Sequence, residues 1–280
     1  FGYLLLFDLD DATRALPKFQ AAVQTGRARK EAHLGLARCE IRVGQGARGH
    51  KKVMQVLDQN PQDALAGLVL AEYHLRSEHY DVAANIYISL IAAYPTVYPS
   101  FDWYYEALRG FQSLCAQTGH WQDAVRTWEQ ALQLHPDSRE LRSFRVWSLA
   151  CAGNADTAAW ANELLSSDPD NPLACLSLML PALRAGRIEE AVAYTRQARG
   201  GTPIPHAREF ERAAAVLRII STGDQPIAEA GIIEGVIYID SGHVVRGRRR
   251  LQEYATQQSN SPWIGMVKRL LAEAPETSEP

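Results

Sequence analysis

The sequence predicts an all-α protein built from helix pairs that recur about every 34 residues. Five prolines, each placed after a helix-like stretch, mark this period with separations of 34, 41, 33 and 34 residues. A balance of 46% hydrophobic and 22% charged residues is that of a globular chain, not of a disordered or collagen-like one. A fixed period of this length is typical of proteins whose structural units stack in a row. The prolines are Pro61, Pro95, Pro136, Pro169 and Pro203.

Ahead of these prolines, a small residue and two further residues recur at a spacing that fits one helix face. Ala83, Tyr87 and Leu90 stand at i, i+4 and i+7, which are neighbouring positions on an α-helix. The small residue lets a second helix come close, and the bulky neighbour then interlocks with it. The spacing therefore predicts two antiparallel helices in each unit, stacked because a lone pair cannot bury both faces. The same spacing returns at Ala124, Trp128 and Ala131 and at Ala191, Thr195 and Ala198.

The first two predicted units depart from this pattern. The first is truncated, because residues 2–8 supply only the end of a first helix. Pro17 either kinks the second helix or marks its first turn. In the second unit, residues 44–49 contain three glycines and predict a loose connection. The second helix of the first unit carries Ala15, Phe19 and Ala22.

The middle units are more regular, apart from one insertion. Gly119 and Gly186 stand where a first helix should end, and glycine favours the left-handed backbone found there. The fourth unit carries seven extra residues within 96–103, and the fifth is about one residue short. We therefore expect one repeat domain over residues 1–274, followed by a polar tail or linker over 275–280.

The region after Pro205 allows two repeat registers. The turn inside the seventh unit is either Gly223-Asp224 or Ser241-Gly242. Residues 231–245 are rich in isoleucine and valine around a Ser-Gly turn, so a β-hairpin is an alternative there. Helical spacing in the flanking segments favours helices. Four helices are predicted, over residues 206–221, 226–240, 243–257 and 262–274.

Charge and hydropathy exclude several partners. The formal net charge is −3, so no overall positive field attracts nucleic acid. The longest apolar runs are far shorter than the roughly 20 residues of a membrane helix, so this segment should not insert into a membrane. The chain begins at Phe1 without a signal-peptide pattern, and we expect it to be a part of a longer protein. The sequence does not determine the cellular compartment of the protein, and the cytoplasm is slightly favoured over the periplasm.

No pattern typical of an active site, a metal site or a cofactor site stands out. The eight histidines lack metal-binding spacing. The glycines at 44, 46 and 49 imitate a dinucleotide-binding motif, but no strand precedes them. Four cysteines stand singly in apolar helical segments, so we expect buried free thiols. The sequence predicts a protein that is not an enzyme and has no catalytic residues, metal or cofactor.

The repeated pattern resembles the tetratricopeptide repeat (TPR). The resemblance covers most of the chain in about seven to eight units. It implies a right-handed superhelical solenoid of antiparallel helix pairs, with a concave groove lined by the first helix of each pair. The asparagines with which some relatives grip the C-terminal carboxylate of chaperone tails are missing. The predicted groove residues are Arg38, Arg42, Glu72, Arg76, Arg109, Leu180 and Arg184.

Three of these arginines recur in the last turn of a predicted first helix, at Arg42, Arg76 and Arg184. One interpretation is that each stabilises the negative end of its helix dipole. The other is that the guanidinium groups point into one groove and grip acidic groups or carbonyls of an extended ligand. The second interpretation predicts an acidic partner with apolar anchors.

Two other surface features stand out. Aromatic residues cluster at the insertion. They form either an exposed apolar patch that could bind a partner or a local cover over the irregular junction that the insertion creates. The arginines at 246, 248, 249 and 250 are interpreted as a solvated helix face. The cluster comprises Tyr98, Phe101, Trp103, Tyr104 and Tyr105.

Together these features predict a non-enzymatic scaffold for protein–protein interaction, which binds a partner protein or extended peptide in the groove. One alternative is the substrate-recruiting or regulatory arm of a larger enzyme, such as a glycosyltransferase or kinase. Another is a bacterial envelope assembly factor.

Overall fold

The structure is a computed structural model that describes residues 11–93, 101–200, 207–222 and 226–275. Within these ranges the side chains at 101, 102, 105, 207–209, 211 and 212 are not described. Every regular element in the described ranges is an α-helix, which confirms the predicted all-α fold. The helices are α1 (Ala12–Gln24), α2 (Lys30–Arg42), α3 (Gly46–Gln59), α4 (Ala64–Arg76), α5 (Tyr80–Ala93), α6 (Phe101–Thr118), α7 (Trp121–Leu134), α8 (Arg139–Cys151), α9 (Thr157–Ser167), α10 (Pro172–Arg184), α11 (Ile188–Ala198), α12 (Ala207–Thr222), α13 (Ala230–Asp240), α14 (Val244–Gln257) and α15 (Ile264–Glu273).

The chain divides into two compact units, Phe1–Thr118 and Gly119–Pro280. Unit 1 contains α1 to α6, and unit 2 contains α7 to α15. In unit 1 each helix packs on the next, and α4 also contacts both α2 and α6. In unit 2, α8 and α10 contact each other in the same way, because each begins a helix pair. The extent of a single repeat domain, residues 1–274, stays a prediction.

The turns inside the helix pairs share one backbone geometry. Gly119 and Gly186 have φ values of +74° and +71°, so the prediction of left-handed residues at these helix ends is confirmed. Arg187 N donates to the carbonyl five residues earlier, Ala182 O, at 2.9 Å, as in a Schellman turn. The turn between α4 and α5 has no glycine at this position: Glu78 takes the left-handed conformation there, with φ +61°.

The regular elements among the described residues after 205 are helices, so the hairpin alternative at residues 231–245 is wrong. Ile232, Ile233, Val236 and Ile237 are almost fully buried on α13. Packing between α12 and α14 outweighs the preference of β-branched residues for strands. Gly242 has φ +89° at the end of α13, which favours the register with Ser241-Gly242 as the turn. The other candidate turn, at 223–224, lies outside the described residues.

The predicted loose connection at residues 44–49 is also wrong. Only residues 43–45 form the turn, and α3 begins at Gly46. A Cβ atom on Gly49 would lie 2.5 Å from the Ala37 carbonyl oxygen. Glycine is therefore present here because α2 and α3 nearly touch, and not because the chain must bend.

The small residues of the repeat lie where helices meet. Ala83 and Ala124 are fully buried, and Tyr87 and Trp128 beside them are buried as well. Trp128 Nε1 donates to Ser148 Oγ at 2.8 Å, which satisfies the polar atom of a fully buried ring. The predicted interlocking of small and bulky residues is therefore confirmed at these positions.

Candidate functional site

The first helices of unit 1 bring charged side chains together. Arg38 on α2 donates from Nε to Glu72 Oε2 on α4 at 2.5 Å. It also donates from Nη2 to Glu106 Oε2 on α6 at 2.9 Å. Arg38 therefore links three successive first helices, although only 4% of the residue is exposed. The face that α2, α4 and α6 share within unit 1 is the candidate site.

Two further arginines complete this group, which we call the ion cluster. Arg42 Nε donates to Glu72 Oε1, so both oxygens of that carboxylate are bound. Arg109 Nη1 lies 3.7 Å from Glu106 Oε1. The side chains of Arg42 and Arg109 are 18% and 28% exposed, more than that of Arg38. With three arginines and two glutamates, the ion cluster has a formal charge of +1, and its outer edge is basic.

Neighbouring charges keep Glu72 and Arg38 ionised. Burial by itself would raise the pKa of Glu72, but the charges and hydrogen bonds of Arg38 and Arg42 lower it to about 2. Burial also opposes the charged form of Arg38, yet Glu72 and Glu106 raise its pKa above the ordinary value. Arg38 and Glu72 are therefore charged at neutral pH although both residues are buried.

Glu106 is the member of the ion cluster that the sequence analysis missed. Arg38, Glu72 and Glu106 follow one another at intervals of 34 residues, which is the repeat period. Placing the seven-residue insertion before α6 hid this match, because it displaced the expected counterpart of Glu72 by seven residues, from 106 to 113. In the structure α6 has 18 residues where α2 and α4 have 13, so part of the insertion is helix. The regular interval of 34 residues could have predicted Glu106 from the sequence.

A close contact fixes α6 beside the ion cluster. The Tyr87 ring on α5 lies against Gly110, where an added Cβ atom would overlap the ring. Burial, and then the charge of Glu72, raises the pKa of the Tyr87 hydroxyl. Because a larger residue at 110 would push the ring away, this glycine holds α6 at the distance at which Glu106 meets Arg38.

Of the other predicted groove residues, Arg76 lies next to the ion cluster, whereas Arg184 and Leu180 lie in unit 2. Arg76 Nη2 donates to Arg42 O at 3.3 Å, at the C-terminal end of α2. Arg184, in unit 2, donates to Ala150 O at 2.5 Å and to Cys151 O at 3.0 Å, at the end of α8. Partial burial lowers the pKa of Arg184. Leu180 is fully buried in unit 2. Both arginines thus bind the last carbonyls of the preceding first helix, where positive charge is favourable.

The described part of the predicted aromatic patch is mostly covered. Tyr98 lies outside the described residues, as do the side chains of Phe101 and Tyr105. Tyr104 is 6% exposed. Trp103 is half-buried and packs against the apolar cluster that α2 and α4 form. Trp103 is therefore the described aromatic side chain of this patch that reaches the surface.

The arginine run of α14 largely serves contacts inside unit 2. Arg248 donates to Leu271 O at 2.9 Å and to Ala274 O at 3.1 Å, at the end of α15. Arg250 Nε donates to Glu234 Oε2 at 2.7 Å. Arg218 on α12 binds the other oxygen of Glu234 at 2.9 Å. The interpretation of this run as a solvated face is therefore wrong for Arg248 and Arg250.

Metal ligands and reactive thiols are the other chemistry to consider in the part of the chain that the structure describes. There, no group of three or more histidine, cysteine or acidic residues is placed to hold a metal ion. The four cysteines are buried and free, as predicted. Burial raises the pKa of Cys39 and of Cys175 to about 11, so these thiols are poor nucleophiles. None of the described helices is long and apolar enough to span a bilayer.

Comparison with known proteins identifies the repeat. Residues 116–172 match the tetratricopeptide repeat family, which confirms the predicted resemblance over this part of the chain. No curated protein matches the chain.

Three solved structures are similar to the chain. A thermophilic TPR protein of Thermus thermophilus is 22% identical, with a TM-score of 0.46 over 68% of this chain and 100% of that one. A TPR protein from Parabacteroides merdae is 17% identical, with a TM-score of 0.46 over 95% and 93%. The APC/C hetero-tetramer Cut9–Hcn1 is 15% identical, with a TM-score of 0.45 over 95% of this chain and 53% of that one.

Proposed function

We propose that this chain, which carries repeats of the tetratricopeptide type, is a non-enzymatic scaffold that binds a partner protein or extended peptide along the first helices of unit 1. Proteins of this repeat family generally mediate protein–protein interactions and are generally not catalysts. The observation that carries the proposal is the contact of Arg38 with both Glu72 and Glu106. It brings three successive first helices onto one polar face, which an extended chain could follow.

The ion cluster is better explained by recognition than by stability. Replacing buried ion pairs by apolar residues of similar volume is often neutral or stabilising, so a core does not need them. At its edge, the side chains of Arg42 and Arg109 are partly exposed. A guanidinium group binds carboxylates through paired hydrogen bonds and also donates to peptide carbonyls. We therefore expect an acidic ligand.

The residues of the proposed site have different roles. Arg42, Arg109 and the exposed Arg76 would contact the ligand. Arg38 and Glu72 are buried, and they would position the first helices instead. Arg184 is left out, because two of its donors are bound to carbonyls of α8. Leu180 is left out because it is buried.

Charge-reversal variants test the proposal. The protein and its Arg42→Glu and Arg76→Glu variants are used to capture partners from a lysate, which mass spectrometry identifies. The affinity of the captured partner is then measured by calorimetry at two salt concentrations. We expect each variant to bind about tenfold more weakly and with less salt dependence.

The control is Arg126→Glu on α7, whose side chain is 72% exposed and whose charge change is the same. The control should bind the partner as the unchanged protein does, and circular dichroism should show that all variants fold. Equal affinity in all three variants would place the partner elsewhere on the molecule.

A further inference from the structure

A pocket of about 590 Å³ lies in unit 1, where the turn between α1 and α2 faces α6. Three alanines, Ala22, Ala28 and Ala32, line it together with Trp103. Short side chains next to a large ring leave a space of the size that small-molecule sites have. The pocket is therefore large enough to take a bulky side chain of a partner.

The aromatic wall of the pocket is firmly supported. Trp103 packs against the apolar cluster of α2 and α4, which includes Leu34, Ala66 and Val69. The residue is half-buried, so part of its ring contacts this core while part lines the pocket. A ring held in this way offers a preorganised surface for a second aromatic ring or a branched aliphatic group.

The rim of the pocket is basic. Arg27 and Arg29 are exposed, and no ion pair is found for either among the described residues. Thr25 Oγ1 accepts from Arg27 N at 3.3 Å, which helps to hold the turn. Glu31 also lines the pocket, so these three residues sum to +1. Lys30 beside them is already paired with Asp63 at 2.5 Å.

The pocket continues the face that carries the ion cluster. Trp103 and Glu106 are three residues apart on α6, so they lie on the same side of that helix. Glu106 binds Arg38 of α2, and Ala32 of the same helix lines the pocket. A chain that follows α6 from Glu106 toward Trp103 would therefore reach the pocket.

We infer that this pocket holds an aromatic or branched aliphatic side chain of the partner, with acidic residues on either side of it. The inference rests on the proposed function, because it assumes that a peptide lies along unit 1. Carboxylates next to the anchor would meet Arg27 and Arg29 at the rim, and the anchor would pack on Trp103. A basic segment would be repelled by the same two arginines.

Synthetic peptides of about ten residues test this inference by fluorescence anisotropy. The first contains aspartate and glutamate around a central phenylalanine, the second has serine in place of phenylalanine, and the third has lysine in place of the acidic residues. We expect the first peptide to bind about tenfold more tightly than the second. The third should not bind. Absence of binding by the first peptide, or equal binding of the first two, would overturn the inference.

Two variants assign the effect to the pocket. Ala28→Leu fills the pocket from a turn residue outside the helices, so it should remove the preference for phenylalanine while the serine peptide binds as before. Arg29→Glu should weaken both acidic peptides. Lys51→Glu, an exposed residue on α3, makes the same charge change as a control and should have no effect. An Ala28→Leu protein that keeps the preference would overturn the inference.

The outcome for the pocket is separable from that for the ion cluster. If Arg42→Glu weakens the acidic peptides while Ala28→Leu changes nothing, the proposed function stands and the pocket is not used. If Ala28→Leu removes the preference for phenylalanine while Arg42→Glu changes nothing, the pocket is used and the ion cluster is not the ligand site.

Discussion

Each unit of this protein holds a glutamate that is bound by two arginines, but the two groups differ in burial. In unit 1, Glu72 binds Arg38 and Arg42, whose side chains are 5% and 18% exposed. In unit 2, Glu234 binds Arg218 and Arg250, whose side chains are 51% and 25% exposed. The carboxylates are similarly shielded, at 11% and 4% exposed, so the arginines make the difference.

The comparison shows that the burial of the arginines determines how much stability such a group contributes. An arginine that is half in water regains its hydration when its carboxylate is removed, so the loss is small. A buried arginine that loses its carboxylate remains as an uncompensated charge. The two groups also join different elements. Glu72 and Arg38 are one repeat apart, whereas Glu234 lies 16 residues from each of its arginines and joins neighbouring helices.

The largest expected effect comes from removing the two glutamates in turn. Glu72→Ala should lower the free energy of unfolding by about 3–5 kcal/mol, because Arg38 is left buried and less compensated. Glu234→Ala should cost roughly half as much, since Arg218 remains hydrated. Urea unfolding followed by circular dichroism measures both. Equal losses would show that burial of the arginines does not distinguish the two groups.

The second test uses pH. The pKa of Glu72 is about 2 in the folded protein, against an ordinary value of 4.5. A carboxylate with a lowered pKa stabilises the folded state above its unfolded value, and this contribution is lost as the pH falls from about 4.5 toward 2. Glu72→Gln should therefore lose less stability than the unchanged protein between about pH 6 and pH 3. Parallel acid profiles for the two proteins would contradict this assignment.

A third test compares packing in the two units. Ala83→Leu in unit 1 and Ala124→Leu in unit 2 should each cost about 1–3 kcal/mol, because both alanines are fully buried where helices meet. Ala92→Leu, at an exposed position of the same helix as Ala83, is the control and should leave the melting temperature unchanged. Unchanged melting in both buried variants would mean that the stacking of the pairs differs from the one described.

The smallest expected effects concern the arginines at helix ends. Arg184→Met should cost about 1 kcal/mol, because it removes two hydrogen bonds to the last carbonyls of α8. Arg76→Met removes one bond of 3.3 Å and should cost about 0.3 kcal/mol. Thermal unfolding of both variants measures the difference. A larger loss for Arg76 would mean that its single bond stabilises a helix end more than the two bonds of Arg184.

The local features of the fold were open to prediction from sequence. The left-handed conformation at Gly119 and Gly186 follows from the chemistry of glycine at a helix end. The burial of Ala83 beside Tyr87 follows from their spacing on one helix face. Sequence reasoning failed at residues 44–49, whereas at 231–245 the predicted helices are confirmed over the hairpin alternative, and in both places packing outweighed local preference. Gly49 is required by the nearness of Ala37, and the isoleucines of α13 are stabilised by burial.

The sequence by itself determined the helices, their pairing and the repeat, because these depend on periodic spacing along one chain. Only the tertiary structure decided which predicted groove residues share a site. It joined Arg38 and Glu72 to the unexpected Glu106, and it placed Arg184 on the end of α8. The physical reason is that an ion pair depends on distances of a few ångströms between helices. Small changes in helix length, such as the longer α6, set those distances without altering the repeat pattern.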